Sequence, residues 1–102
     1  MTTKIIYNNS YGGFGLSDLA KAALLRAGCT EEEVYNFLYE SRHDPRLVHV
    51  VETMGPDLVS GPCSRLCVAT IPGTKYWVTE YDGMESIDTP DTVKWIDATQ
   101  TS

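Results

Sequence analysis

Apolar residues recur at helical spacing through Leu16, Leu19, Ala20, Ala23, Leu24 and Ala27, with Ser17 as an N-cap and Gly28 as a stop. This is the best-defined helix of the chain. Ahead of it, Lys4-Ile5-Ile6-Tyr7-Asn8 is a short β-prone run, followed by Asn9, Ser10 and a glycine-rich turn. Thr30 and Glu33 make a capping box, and Cys29 with Val34 a hydrophobic staple, so a second helix starts near Glu31. Its continuation through Tyr35, Phe37, Leu38 and Tyr39 is aromatic-rich and suits a strand nearly as well. A third helix opens with Asp44 as N-cap and Pro45 at its first position, turns Leu47, Val48, Val51 and Met54 to a core, and ends at Gly55-Pro56.

Asp57 to Pro62 reads as a surface loop, and strand patterns follow. Ser64 to Ile71 is apolar on both faces, Pro72-Gly73 fits a type II turn, and Lys75 to Tyr81 returns as a strand. Asp82-Gly83 is a hairpin signal leading into Met84 to Ile87. Thr89-Pro90-Asp91 caps a last short helix bearing Val93, Trp95 and Ile96, and residues 98–102 fray. The expected fold is α+β: one domain over 1–102, a two-layer sandwich with an N-terminal strand, two or three helices, a three-stranded antiparallel meander and a short terminal helix.

With 42% hydrophobic and 22% charged residues, the 102-residue chain has the composition of a folded domain, and disorder is confined to its ends. A net charge of −6 argues against non-specific nucleic-acid binding, which needs basic surface, and permits a basic protein partner. Cys29, Cys63 and Cys67 form no disulfide framework and read as small buried hydrophobes. With no signal peptide or long apolar run, the expected setting is the cytoplasm, away from membranes. His43 and His49 are not at chelating spacing and no Cys or Glu cluster completes a site, so neither metal nor cofactor is expected.

The candidate chemistry gathers at two stretches. In Tyr11-Gly12-Gly13-Phe14-Gly15-Leu16-Ser17, three glycines lead to a helix N-terminus, an arrangement that holds phosphate or carboxylate on backbone N–H groups. A tight turn also needs glycines for steric reasons alone. The stretch has neither dinucleotide-binding spacing nor a closing Gly-Lys-Ser/Thr, and Asp18 competes with a bound anion. In Ser41-Arg42-His43-Asp44, Arg42 with Arg46 offers a fork for phosphate and His43 is the weak candidate for an acid or base. The alternative is an N-cap flanked by solvated residues. Tyr11, Phe14 and Trp77 are candidates to stack on a base; Tyr81-Asp82-Gly83 is most simply a hairpin corner, and if that corner lies beside the glycine-rich turn it would place a ring and a carboxylate over the same cleft.

The first of these stretches, together with Arg42-His43-Asp44-Pro45-Arg46-Leu47-Val48-His49-Val50-Val51-Glu52 and Glu80-Tyr81-Asp82-Gly83-Met84-Glu85, resembles a family of small, largely uncharacterised proteins of phages and some bacteria. The resemblance implies a phage setting and a place in the host cytoplasm, and no particular activity. Three functions follow as expectations. The first is capture of a phosphorylated or nucleotide-like small molecule by Tyr11, Gly12, Gly13, Phe14, Gly15, Ser17, Arg42, His43, Arg46, Trp77, Tyr81 and Asp82. The second is inhibition of a host protein through an acidic and aromatic face. The third, last in order, is a small hydrolase or transferase using His43. A homo-oligomer using the same aromatic residues is compatible with all three.

Overall fold

A computed structural model describes residues 2–90. Strand β1 (Thr2–Asn8) is followed by helices α1 (Asp18–Arg26), α2 (Glu31–Asn36), α3 (Pro45–Met54) and α4 (Pro56–Val59), then by strands β2 (Leu66–Pro72), β3 (Trp77–Tyr81) and β4 (Met84–Asp88). The class is α+β. The expected terminal helix bearing Val93, Trp95 and Ile96, and the expected fraying over 98–102, lie outside the described residues.

Helices α1, α2 and α3 each start where a side chain satisfies the first backbone N–H groups. Ser17 Oγ accepts from Ala20 N, Thr30 and Glu33 complete a reciprocal capping box, and Asp44 accepts from Arg46 N beside Pro45. The capping box settles Glu31–Asn36 as helix, where a strand was equally compatible with its aromatic content. Ala20 and Leu24 of α1, Val34 of α2 and Leu47, Val48, Val50 and Val51 of α3 form one core with Ile6, Leu16, Cys29, Phe37, Val59 and Leu66. Leu19, expected in the α1 stripe, is exposed. Its position on the helix lies off the line through Ala20 and Leu24.

Two sequence expectations are corrected here. Residues 66–88 do not form a three-stranded meander: β2 pairs antiparallel with β1, from Thr2↔Pro72 to Asn8↔Leu66, and β3 pairs only with β4 among the described residues. The physical reason is that β1 supplies seven partners to β2, and residues 73–76 lead away from that sheet instead of folding back along it. The stretch from Asp57 to Pro62 is not simply a loop. Pro56, read as a terminator, occupies the first position of α4, and Val59 is fully buried. Asp82-Gly83 behaves as expected, with φ of 51° and 87°, the two positive values of a type I′ hairpin turn.

Candidate functional site

The turn that looked like a ligand cradle is largely filled by the protein itself. A Cβ at Gly12 would lie 1.8 Å from the Cys63 carbonyl oxygen, and one at Gly83 would lie 2.5 Å from both Gly13 N and Tyr11 O. Glycine therefore lets the 61–64 segment and the hairpin corner pack directly on the turn backbone. Gly15 O accepts from Gly61 N at 2.9 Å and from Ser64 Oγ at 2.7 Å. Ser17 Oγ, besides capping α1, donates to Leu58 O. A shallow hollow of about 180 Å³ remains between residues 12–16 and 61–64, and no Lys, Arg or His lines it.

Arg42 is buried and lies under the turn, with Cζ 3.7 Å from the centre of the Phe14 ring. All five of its guanidinium N–H groups are used inside the chain. Nε donates to Phe37 O (2.5 Å), Nη1 to Ile6 O (3.3 Å) and Glu85 Oε1 (2.6 Å), and Nη2 to Leu38 O (2.7 Å) and Glu85 Oε2 (3.0 Å). Glu85 Oε1 also accepts from Asn8 N at 2.9 Å. The fully buried Asn8 amide donates to Ser10 O and Gly83 O and accepts from Arg65 N. This polar cluster joins β1, the α2–α3 connection and the hairpin, and leaves Arg42 no donor for a phosphate.

Arg46 is held elsewhere. Its Nη2 contacts Glu33 Oε2 at 2.6 Å and Asp44 Oδ2 at 2.9 Å, and its Nε contacts Asp44 Oδ1 at 3.1 Å. Its guanidinium holds both carboxyls below their ordinary pKa values. His43 Nδ1 is 2.7 Å from the Tyr76 hydroxyl and their rings meet edge to face. Burial raises the Tyr76 pKa. The structure thus gathers Tyr11, Gly13, Phe14, Arg42 and the Tyr81-Asp82-Gly83 corner in one region. Arg46 and His43 belong to separate contacts, and Trp77 stands at the hairpin end opposite that corner. Among the described residues no three of His, Cys, Asp and Glu are placed to hold a metal. Of the three cysteines only Cys29 is buried; Cys63, which precedes β2, is exposed, and Cys67 is half-buried.

A cavity of about 400 Å³ lies between α1 and α2. Leu16, Leu25, Val34, Tyr35 and Leu38 line it, with Lys21 on one wall and Glu31 on the other. Leu25 and Tyr35 are 42% and 60% exposed, which is high for large apolar side chains beside a cleft. Tyr39, one helical turn beyond Tyr35, meets it edge to face at 5.8 Å, and contact with Tyr35 raises the Tyr39 pKa. Asp18 and Glu32, three residues before Lys21 and Tyr35, add negative charge beside the opening. Among the described residues neither carries an ion pair, whereas Lys4, Arg42, Arg46 and Arg65 are tied to carboxylates within the chain. Of the residues that line it, only Gly15 was a candidate on sequence grounds. The available signal was a second apolar line along α2 and the turn after it, where Tyr35 and Leu38 flank the buried Val34 and Phe37.

The fold and cavity define a small α+β protein with an apolar, acid-flanked interhelical groove. Compared with protein-family models, curated proteins and solved structures, the chain shows no match. Among the described residues no helix is long and apolar enough to cross a membrane.

Proposed function

We propose that the chain is a protein-binding module whose α1–α2 groove takes an apolar, basic-flanked helical segment of a partner. The observation that carries this reading is the groove itself: five apolar side chains, two of them large and exposed, bordered by carboxylates that form no ion pair among the described residues. A helix with apolar residues at i, i+3, i+4 and i+7 fits such a groove, and Lys or Arg on its flanks would face Asp18, Glu31 and Glu32. The phage setting implied by the sequence resemblance makes a host protein the natural partner. Capture of a phosphorylated molecule has less support, because both arginines expected to neutralise it are committed to carboxylates of the chain.

The test uses two synthetic helical peptides with the same leucine pattern, one carrying Lys and the other Glu at the remaining exposed positions. Backbone amide spectra should show the basic peptide shifting Leu25, Tyr35 and Leu38, with affinity falling as salt rises. Tyr35→Asp should abolish the shifts without lowering the melting temperature. Equal binding of both peptides, or shifts confined to other surfaces, overturns the reading. A thermal panel of nucleotides separates the alternative: a phosphate ligand at a hundred times its Kd adds about 2.7 kcal/mol, and the groove reading expects no change.

A further inference from the structure

The β3–β4 hairpin has an open edge. With a two-residue turn, Tyr81 and Met84 form the hydrogen-bonded pair, and alternation gives the same role to Thr79–Ser86 and Trp77–Asp88. The N–H and C=O groups of Val78 and Glu80 therefore point away from β4. Among the described residues no strand lies on that side. Trp77, Thr79, Glu80 and Tyr81 are exposed, and the strand contains no proline, lysine or bulge to discourage pairing. A two-stranded hairpin with one face in water is marginal by itself, so a further strand on this edge would be stabilising.

The order of side chains selects the occupant. Trp77-Val78-Thr79-Glu80-Tyr81 carries an aromatic residue two positions to each side of Thr79. We propose that a second copy of this chain pairs with β3 antiparallel about Thr79, joining two hairpins into a four-stranded sheet. In that register Thr79 faces Thr79 of the second copy, a non-hydrogen-bonded pair on the two-fold axis. Trp77 then lies across from Tyr81 of the second copy, and the reciprocal pair forms on the other side of the axis. Both aromatic pairs are again non-hydrogen-bonded positions, where opposing side chains come closest. Val78 and Glu80 exchange their outward backbone bonds with Glu80 and Val78 of the second copy. The register uses every outward group of the strand once, as an isologous interface requires. Five-residue strands bury little area, so the association is weak and depends on concentration. The pairing goes beyond the groove reading and is independent of it, since no groove residue belongs to β3 or β4.

Sedimentation velocity of the full chain across micromolar to millimolar concentrations is the first experiment, with Glu80→Pro as the comparison. That substitution removes an outward N–H and leaves the inner ladder of the hairpin its donors. Wild type should dimerise, and Glu80→Pro should raise the dimer Kd at least tenfold. Because proline also removes the Glu80 contact to Gly83 N, a second variant reads the register directly. Thr79→Cys, in a Cys63→Ser/Cys67→Ser background, should oxidise to a disulfide-linked dimer, and Lys75→Cys in that background should not. A chain that stays monomeric at all concentrations, leaving the edge to a different partner or to none, overturns the proposal. So does a dimer that persists in Glu80→Pro, or one in which Thr79→Cys forms no cross-link.

Discussion

Replacing Arg42 by methionine separates a structural arginine from a ligand-binding one by magnitude. The substitution keeps much of the aliphatic stem under Phe14 and removes the guanidinium. Glu85, only 9% exposed, loses both bonds to its cation, and the carbonyls of Phe37, Leu38 and Ile6 lose a donor. Removing one member of a buried ion pair costs about 3–5 kcal/mol, much of it the desolvation of the charge left behind. Set against a whole-domain stability of about 5–15 kcal/mol, that brings the protein close to unfolding. In urea, with a slope on the order of 1.5 kcal/mol per molar, the midpoint should fall by about 2–3 M. An exposed arginine held for a ligand would instead change stability by no more than about 0.5 kcal/mol. Glu85→Leu should cost as much as Arg42→Met. The double variant should lose less than the sum by about 0.5–3 kcal/mol, because it strands neither charge. Urea titrations followed by circular dichroism give all four corners of the cycle. A loss below about 1 kcal/mol for Arg42→Met, or strict additivity in the cycle, would refute the assignment of Arg42 as the pin between β1 and the hairpin.

Two other outcomes follow from the same contacts. Gly12→Ala should lower stability by about 1–3 kcal/mol, since its Cβ would collide with the Cys63 backbone, whereas Gly15→Ala, whose nearest neighbour is Ser64 Oγ at 3.7 Å, should be far milder; equal melting temperatures would show that the turn is not packed this way. Arg46 lowers the pKa of Asp44 and Glu33, so their stabilisation is complete above the ordinary values of 3.8 and 4.5 and is lost as pH falls through the lowered ones. Arg46→Met should therefore be less stable than wild type at pH 7 and converge with it toward pH 2, and a pH-independent difference in urea midpoints would contradict the pairing.

What was legible in the sequence was local. Ser17, the Thr30–Glu33 box and Asp44-Pro45 each announce a helix start because the cap lies within three residues of the N–H it satisfies. Asp82-Gly83 announces its turn for the same reason. Pairing across long separations carries no such mark. β1 meets β2 some sixty residues away, so the following strands looked like a meander simply because they are neighbours in the chain. Arg42 looked like a surface cation because arginine is rarely buried, and its partner Glu85 lies 43 residues on, within what read only as a hairpin strand.

The glycine-rich turn joins these two lessons. Its composition shows that a backbone must come close to something there, and in the folded chain that something is the Cys63 backbone at Gly12. The same need reappears at Gly83, which sits on Tyr11 and Gly13, while Phe14 covers Arg42. The glycine-rich turn, Arg42 and the Tyr81-Asp82-Gly83 corner thus meet one another in the fold. A sequence pattern of this kind serves a packing arrangement as readily as a ligand site, and the two differ in what a substitution disturbs. Loss of stability at Gly12 and Arg42 marks the first, and loss of binding at unchanged stability marks the second. By that criterion the groove reading is tested at Leu25 and Tyr35, whose large apolar side chains stand exposed.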